Sequence, residues 1–213
     1  MASVEPGSKR DLLEVILGYG LIVGVIWMPE FPQRVSSPLV LIVTLAVLLA
    51  RRPTRDELGL GWRGFLPSLW ILPAAVIVGA VSVLVAKRLG TLHPLFKVDA
   101  GHVAGYVLWT LYQQILLNDY FLPRLTRLLG NGTVAVSVAA VLFAAAHLPS
   151  PWLSLATVVW GAISCALFRR YRNLYALGLA QGLLGLCFAA CVPDALHHHL
   201  RVGLGYLRYG LVR

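Results

Sequence analysis

The chain has 213 residues, of which 58% are apolar and only 13% charged, and its formal net charge is +9. A soluble globular domain carries about a quarter charged residues, so this composition excludes one, and the length allows a single helical bundle without a second domain. The Lys and Arg residues stand at the ends of apolar runs and form no long basic helix, so the expected partner is membrane lipid and not nucleic acid.

A spanning helix needs about 20 mostly apolar residues. Met1 to Arg10 is polar, and no small-residue cleavage site follows the first apolar run, so that run is expected to be retained. It covers Leu12 to Met28 and closes at Glu30, Pro32 and Arg34. A second run covers Val35 to Ala50 and stops at Arg51-Arg52-Pro53; a third covers Phe65 to Ala86. A polar loop from Lys87 to Ala100, broken by Gly90 and Pro94, leads to a fourth run from His102 to Leu122, ending at Pro123-Arg124. The fifth covers Thr133 to His147 and ends at Pro149-Ser150-Pro151. The sixth covers Trp152 to Phe168 and stops at Arg169-Arg170, and the seventh covers Leu174 to Val192 and stops at Pro193-Asp194. The expected fold is therefore all-α, a polytopic integral membrane helical bundle of about seven transmembrane helices over residues 1–213.

Basic residues set the expected orientation. With the N-terminus inside, Lys9, Arg10, Arg51, Arg52, Arg55, Arg63, Arg124, Arg127, Arg169, Arg170 and Arg172 fall inside. Arg34, Lys87, Arg88, Lys97, Arg201, Arg208 and Arg213 fall outside, so the bias favours a cytoplasmic N-terminus. A re-entrant second segment would invert everything after it. Cys165, Cys187 and Cys191 lie inside apolar runs without a CxxC spacing and read as small apolar fillers.

Polar residues at membrane depth are the functional candidates. The fourth run contains Gln113, Gln114, Asn118 and Asp119. Gln114 and Asn118 stand four apart on one helical face, and Gln113 lies about 100° round from Gln114. Amides of this kind either glue helices together or line a site. Asp119 either joins them or pairs with Arg124 or Arg127. His147 ends the fifth run after three alanines, and Gln181 stands among Ala180, Gly182 and Gly185 on the seventh. Beyond it, His197-His198-His199 cannot all point one way on a helix; two of the three could bind a transition metal, or the run is an interfacial segment. The tail from Arg201 to Arg213 alternates basic with apolar and aromatic residues, as a segment lying on a membrane surface does.

Together these segments resemble the CPBP family, the CAAX-protease and bacteriocin-processing group of intramembrane endopeptidases. The family pattern is Glu-Glu-x-x-x-Arg, then Phe-x-x-x-His, then His-x-x-x-Asn or Asp. Here Gln113-Gln114-Ile-Leu-Leu-Asn118 stands in the first motif, followed by Phe121-Leu-Pro-Arg-Leu125. Phe143-Ala-Ala-Ala-His147 matches the second, and Gln181-Gly-Leu-Leu-Gly185 occupies the third. The likeness covers residues 56–190, with 193–213 left as a basic tail.

The resemblance implies a polar cavity lined by Gln113, Gln114, Asn118, His147 and Gln181, with Asp119 beside it. It implies an activity of peptide-bond hydrolysis in a bacterial inner membrane. The departures oppose that activity, because glutamine cannot accept a proton near neutral pH and general-base attack by water needs an acceptor. Two readings follow. One is an endopeptidase with a rewired site, in which His147 acts with Asp119 or with one of His197 to His199, with or without a divalent metal such as zinc held by His147, His197 or His199. The other is a pseudoprotease that binds a transmembrane or C-terminal peptide as a chaperone, immunity factor or sorting partner. A small-solute transporter is the weaker third, since no inverted repeat is visible.

Overall fold

A computed structural model describes residues 8–95 and 99–209. Met1 to Gly7, and Lys97 and Arg213 from the outer charges above, lie outside the described residues. Among the described residues the secondary structure is entirely helical. Four helices are long and apolar enough to cross a membrane: Glu30–Leu49, Phe65–Leu89, Pro151–Tyr171 and Leu174–Cys191, with Gly132–Ala145 a shorter apolar helix. The chain is thus an all-α integral membrane protein.

Its contacts gather into two compact units. The first holds residues 1–53, 116–166 and 201–213. Helix α1 (Lys9–Ile26) opens three residues before the apolar run because Ser8 caps it: the Ser8 hydroxyl accepts from the Asp11 N–H, and the Asp11 carboxylate accepts in return from the Ser8 backbone. Helix α2 (Glu30–Leu49) starts five residues earlier than expected. Glu30 and Pro32, read from the sequence as a stop, instead form its first turn, where a proline's missing N–H costs nothing. The Gln33 side chain donates back to the Val25 carbonyl and caps the end of α1.

The second unit holds residues 54–115 and 167–200. It contains α3 (Phe65–Ser68), α4 (Ile71–Leu89) and α5 (Ala100–Gln114), which Asp99 caps. Gly90 ends α4 at φ +69°, the left-handed conformation that suits glycine.

The fourth run does not stop at Pro123. A π-helical stretch, Ile115–Phe121, follows α5 and leads directly into α6 (Leu122–Leu129). Its wider i→i+5 turns relieve the clash a proline makes with the preceding α-helical turn, so the chain passes through Pro123 and remains helical. The first unit continues with α7 (Gly132–Ala145) and most of α8 (Pro151–Tyr171). Helix α9 (Leu174–Cys191) and the short α10 (Asp194–His197) complete the second unit, and α11 (Gly203–Leu207) belongs to the first.

Within the second unit α9 packs against α4 and α5. Its seam is built from small residues. A Cβ on Gly178 would collide with Leu111, one on Gly182 would come within 3.3 Å of Thr110 and Val107, and one on Gly185 would meet the Tyr106 hydroxyl. The hydroxyl of Thr110 donates to the Gly178 carbonyl at 3.0 Å, so α5 and α9 touch backbone to side chain. All three cysteines are free.

Candidate functional site

The small-residue seam decides what happens to the glutamines. With α5 and α9 this close, Gln113, Gln114 and Gln181 join into one directed chain. Gln114 Nε2 donates to Gln181 Oε1, and Gln181 Nε2 donates to Gln113 Oε1, both at 2.5 Å. Gln114 is fully buried at 0% exposure, and the other two are half-buried. Each amide both donates and accepts, which lets three neutral side chains satisfy one another at membrane depth without a charge. The position of the family's Asn or Asp, Gly185, is filled from across the seam by the Tyr106 hydroxyl.

The first unit holds the remaining candidates. Asn118, at 0% exposure, and Asp119 are both buried on the π-helical stretch. His147 follows α7 and is 9% exposed. Its Nδ1 lies 2.7 Å from the Phe143 carbonyl, and a carbonyl only accepts, so Nδ1 carries the proton and Nε2 keeps a lone pair in the neutral ring. The Phe143 ring stands edge-on to the imidazole at 4.9 Å. This Phe-x-x-x-His spacing therefore does a definite job: one helical turn supplies both the carbonyl that fixes the tautomer and the ring that walls it.

Sequence reasoning missed the charged cluster beside these residues. Glu14 Oε2 accepts from Arg124 Nε at 2.6 Å and from Arg51 at 2.9 Å, while Asp11 holds Arg127 at 2.7 Å and Arg51 at 2.9 Å. Arg124 is 1% exposed, donates to the Tyr120 carbonyl at 2.6 Å and lies over the Tyr120 ring. The Tyr120 hydroxyl donates to the Glu14 carbonyl, and Gly18 leaves room for that ring. Thus the carboxylates that hold Arg124 and Arg127 come from α1, more than 100 positions away in sequence. The only hint in the sequence was an Asp and a Glu three apart at the start of an apolar run. The guanidinium of Arg127 beside Asp11 holds that carboxyl well below the usual carboxylate range.

The histidine run sits apart from the amide chain in sequence and in role. His197 is buried, with Nε2 donating to the Val192 carbonyl at 2.9 Å and Nδ1 accepting from the Leu200 N–H at 3.1 Å. Both ring nitrogens are engaged, which leaves no lone pair on His197 for a metal. Asp194 accepts from the His199 backbone and lies 2.8 Å from its ring. His198, His199 and Leu200 all adopt positive φ, a left-handed turn that these bonds hold in place. Among the described residues no three His, Cys, Asp or Glu side chains gather where a metal could be held.

A membrane fold that is helical throughout the described residues, a buried Phe-x-x-x-His turn and an amide chain between α5 and α9 are features of an intramembrane-protease-like protein. Residues 21–187 match the type II CAAX prenyl endopeptidase Rce1-like family, and the chain belongs to that family. Asp11 and Glu14 fall outside the matched residues. No curated protein and no solved structure matches the chain.

Proposed function

We propose that this family member holds a peptide, the C-terminus or a transmembrane segment of another protein, and releases it uncut. The observation that carries this reading is the Gln114–Gln181–Gln113 chain standing in the motif positions where the resemblance puts the proton-accepting glutamate pair and a histidine. Replacing acids with amides keeps hydrogen-bonding capacity for a peptide backbone and removes the base that water attack requires. The roles open to such a protein are those of a chaperone, immunity factor or sorting partner. The bias of Lys and Arg toward the N-terminal side supports a cytoplasmic N-terminus, and the family with the compact loops supports a bacterial inner membrane.

A second reading rests on His147. Its Nε2 lone pair, fixed in direction by the Phe143 carbonyl, is a competent base for a rewired endopeptidase, with Asp119, buried in the same unit, as the candidate acid. The two separate in one assay. The full chain in lipid nanodiscs is mixed with tagged peptides carrying free C-termini, and both retained and cleaved peptide are quantified. Retention of intact peptide, weakened about fivefold by Gln114→Ala, is the expected result. Cleavage that His147→Ala abolishes would move the assignment to the second reading.

A further inference from the structure

At the end of the second unit where α3 begins and α8 passes into α9, the loop after Pro53 folds into the wall of a cleft. Three glycines make this possible. Gly59, at φ +63°, lies against Phe168 and accepts from the Leu174 N–H at 3.0 Å; Gly61 abuts the Asp56 carboxylate; Gly64 abuts the Tyr171 carbonyl. Thr54 and Glu57 close the loop's first turn reciprocally, with the Thr54 N–H donating to the Glu57 carboxylate at 2.7 Å. The resulting cleft, about 480 Å³, is lined by Arg63, Arg170 and Arg172. Asp56 opposes them 4.0 Å from Arg63, and the Glu57 carboxylate at the cleft's edge acts on Arg172. Three guanidinium groups against two carboxylates leave one positive charge over.

The surroundings are those of a membrane interface. Helices Phe65–Leu89, Pro151–Tyr171 and Leu174–Cys191, each long and apolar enough to span, begin or end here. Trp70 Nε1 donates to the Tyr171 hydroxyl at 3.2 Å, and Trp62 packs edge-on to Phe65. Exposed Trp beside Tyr is the side-chain pair that sits at headgroup depth. From these observations we infer that the cleft binds the phosphate of an anionic phospholipid headgroup, with Arg63, Arg170 and Arg172 as its ligands. Arginine suits this role because its planar fork donates two parallel hydrogen bonds to phosphate oxygens. The acyl chains would lie along the apolar faces below the tryptophans.

The test is a titration of the detergent-purified full chain with phosphatidylglycerol, phosphatidylcholine or inorganic phosphate, read by native mass spectrometry. Phosphatidylglycerol should be retained in preference to phosphatidylcholine. Removing an arginine should weaken that retention about fivefold, and Arg63→Gln with Arg170→Gln about twentyfold or more. Arg88→Gln, the same charge change at the opposite end of α4, should leave it within about twofold. Equal weakening by Arg88→Gln, or no preference for the anionic lipid, would overturn the assignment. Binding of inorganic phosphate as tight as that of the lipid would make the source a free anion and overturn the headgroup. Should the double variant lose helicity, Arg63→Gln carries the test alone, since that side chain is 94% exposed.

Discussion

The two compact units keep buried polar groups by opposite means. In the first, guanidinium and carboxylate groups pair with one another at the start of α1, with Arg124 enclosed at 1% exposure. In the second, three neutral glutamines satisfy one another between α5 and α9. Each solution is tenable only in its own setting. Ion pairs need several donors and acceptors converging to offset desolvation, and the cluster sets Arg10, Arg51, Arg124 and Arg127 around Asp11 and Glu14. An amide chain needs only close backbones, which Gly178, Gly182 and Gly185 provide.

Breaking the charged side should cost the most. Glu14→Gln leaves the Arg124 guanidinium enclosed without its carboxylate, and we expect a loss of about 3 kcal/mol in reversible unfolding from mixed micelles. Replacing Glu14 and Arg124 together by Met should recover much of it, since neither charge is then left unpaired. An equal loss in single and double variants would show that the cluster acts by shape and not by charge.

Overfilling the seam should come next. Gly185→Asn restores the family's residue type but drives it into the Tyr106 hydroxyl, with an expected cost of about 2 kcal/mol in the same unfolding measurement. Combining it with Tyr106→Ala should relieve most of that cost, and an undiminished loss would place the constraint elsewhere. On the amide side, Gln181→Leu removes two hydrogen bonds at once and should cost about 1 kcal/mol, because neutral bonds between membrane helices are individually weak. A loss as large as that of Glu14→Gln would erase the contrast between the two units.

The smallest expected effect is local and depends on pH. Burial pushes the His197 imidazole below its ordinary value, with the Val192 carbonyl opposing that shift. A depressed base is held neutral in the folded turn. Its contribution is therefore complete above the unfolded value near 6.5 and is lost as pH falls toward the lower folded value. Protection of the Leu200 amide in hydrogen exchange should fall between pH 7.5 and 5.5, after correction for intrinsic exchange, and His197→Gln should flatten the change. Asp11 behaves in the same sense at far lower pH, because Arg127 depresses a carboxyl whose stabilisation disappears only under strong acid.

Much of this was legible in the sequence. Apolar runs of spanning length gave the helices, and Asn131 and Asn173 mark the starts of α7 and α9 by accepting from backbone N–H groups. The glutamines stood out because amides are rare at membrane depth. Their order in the chain could not reveal that Gln181 bridges the other two, since that follows from the glycine seam. Two features were not readable. The π-helical stretch has no periodicity of its own over seven residues, so Pro123 read as a stop. The partners of Arg124 and Arg127 are 110 and 116 residues away, and nothing local to Asp11 or Glu14 points to them.

The proposed role, holding a peptide without cutting it, is tested most directly by incubating the nanodisc-embedded full chain with C-terminal and transmembrane peptides in H₂¹⁸O, with every product and recovered peptide weighed by mass spectrometry. Intact peptide that copurifies with the chain, no new termini and no ¹⁸O incorporation is the predicted result. New C-termini carrying ¹⁸O, lost in His147→Ala, would contradict it.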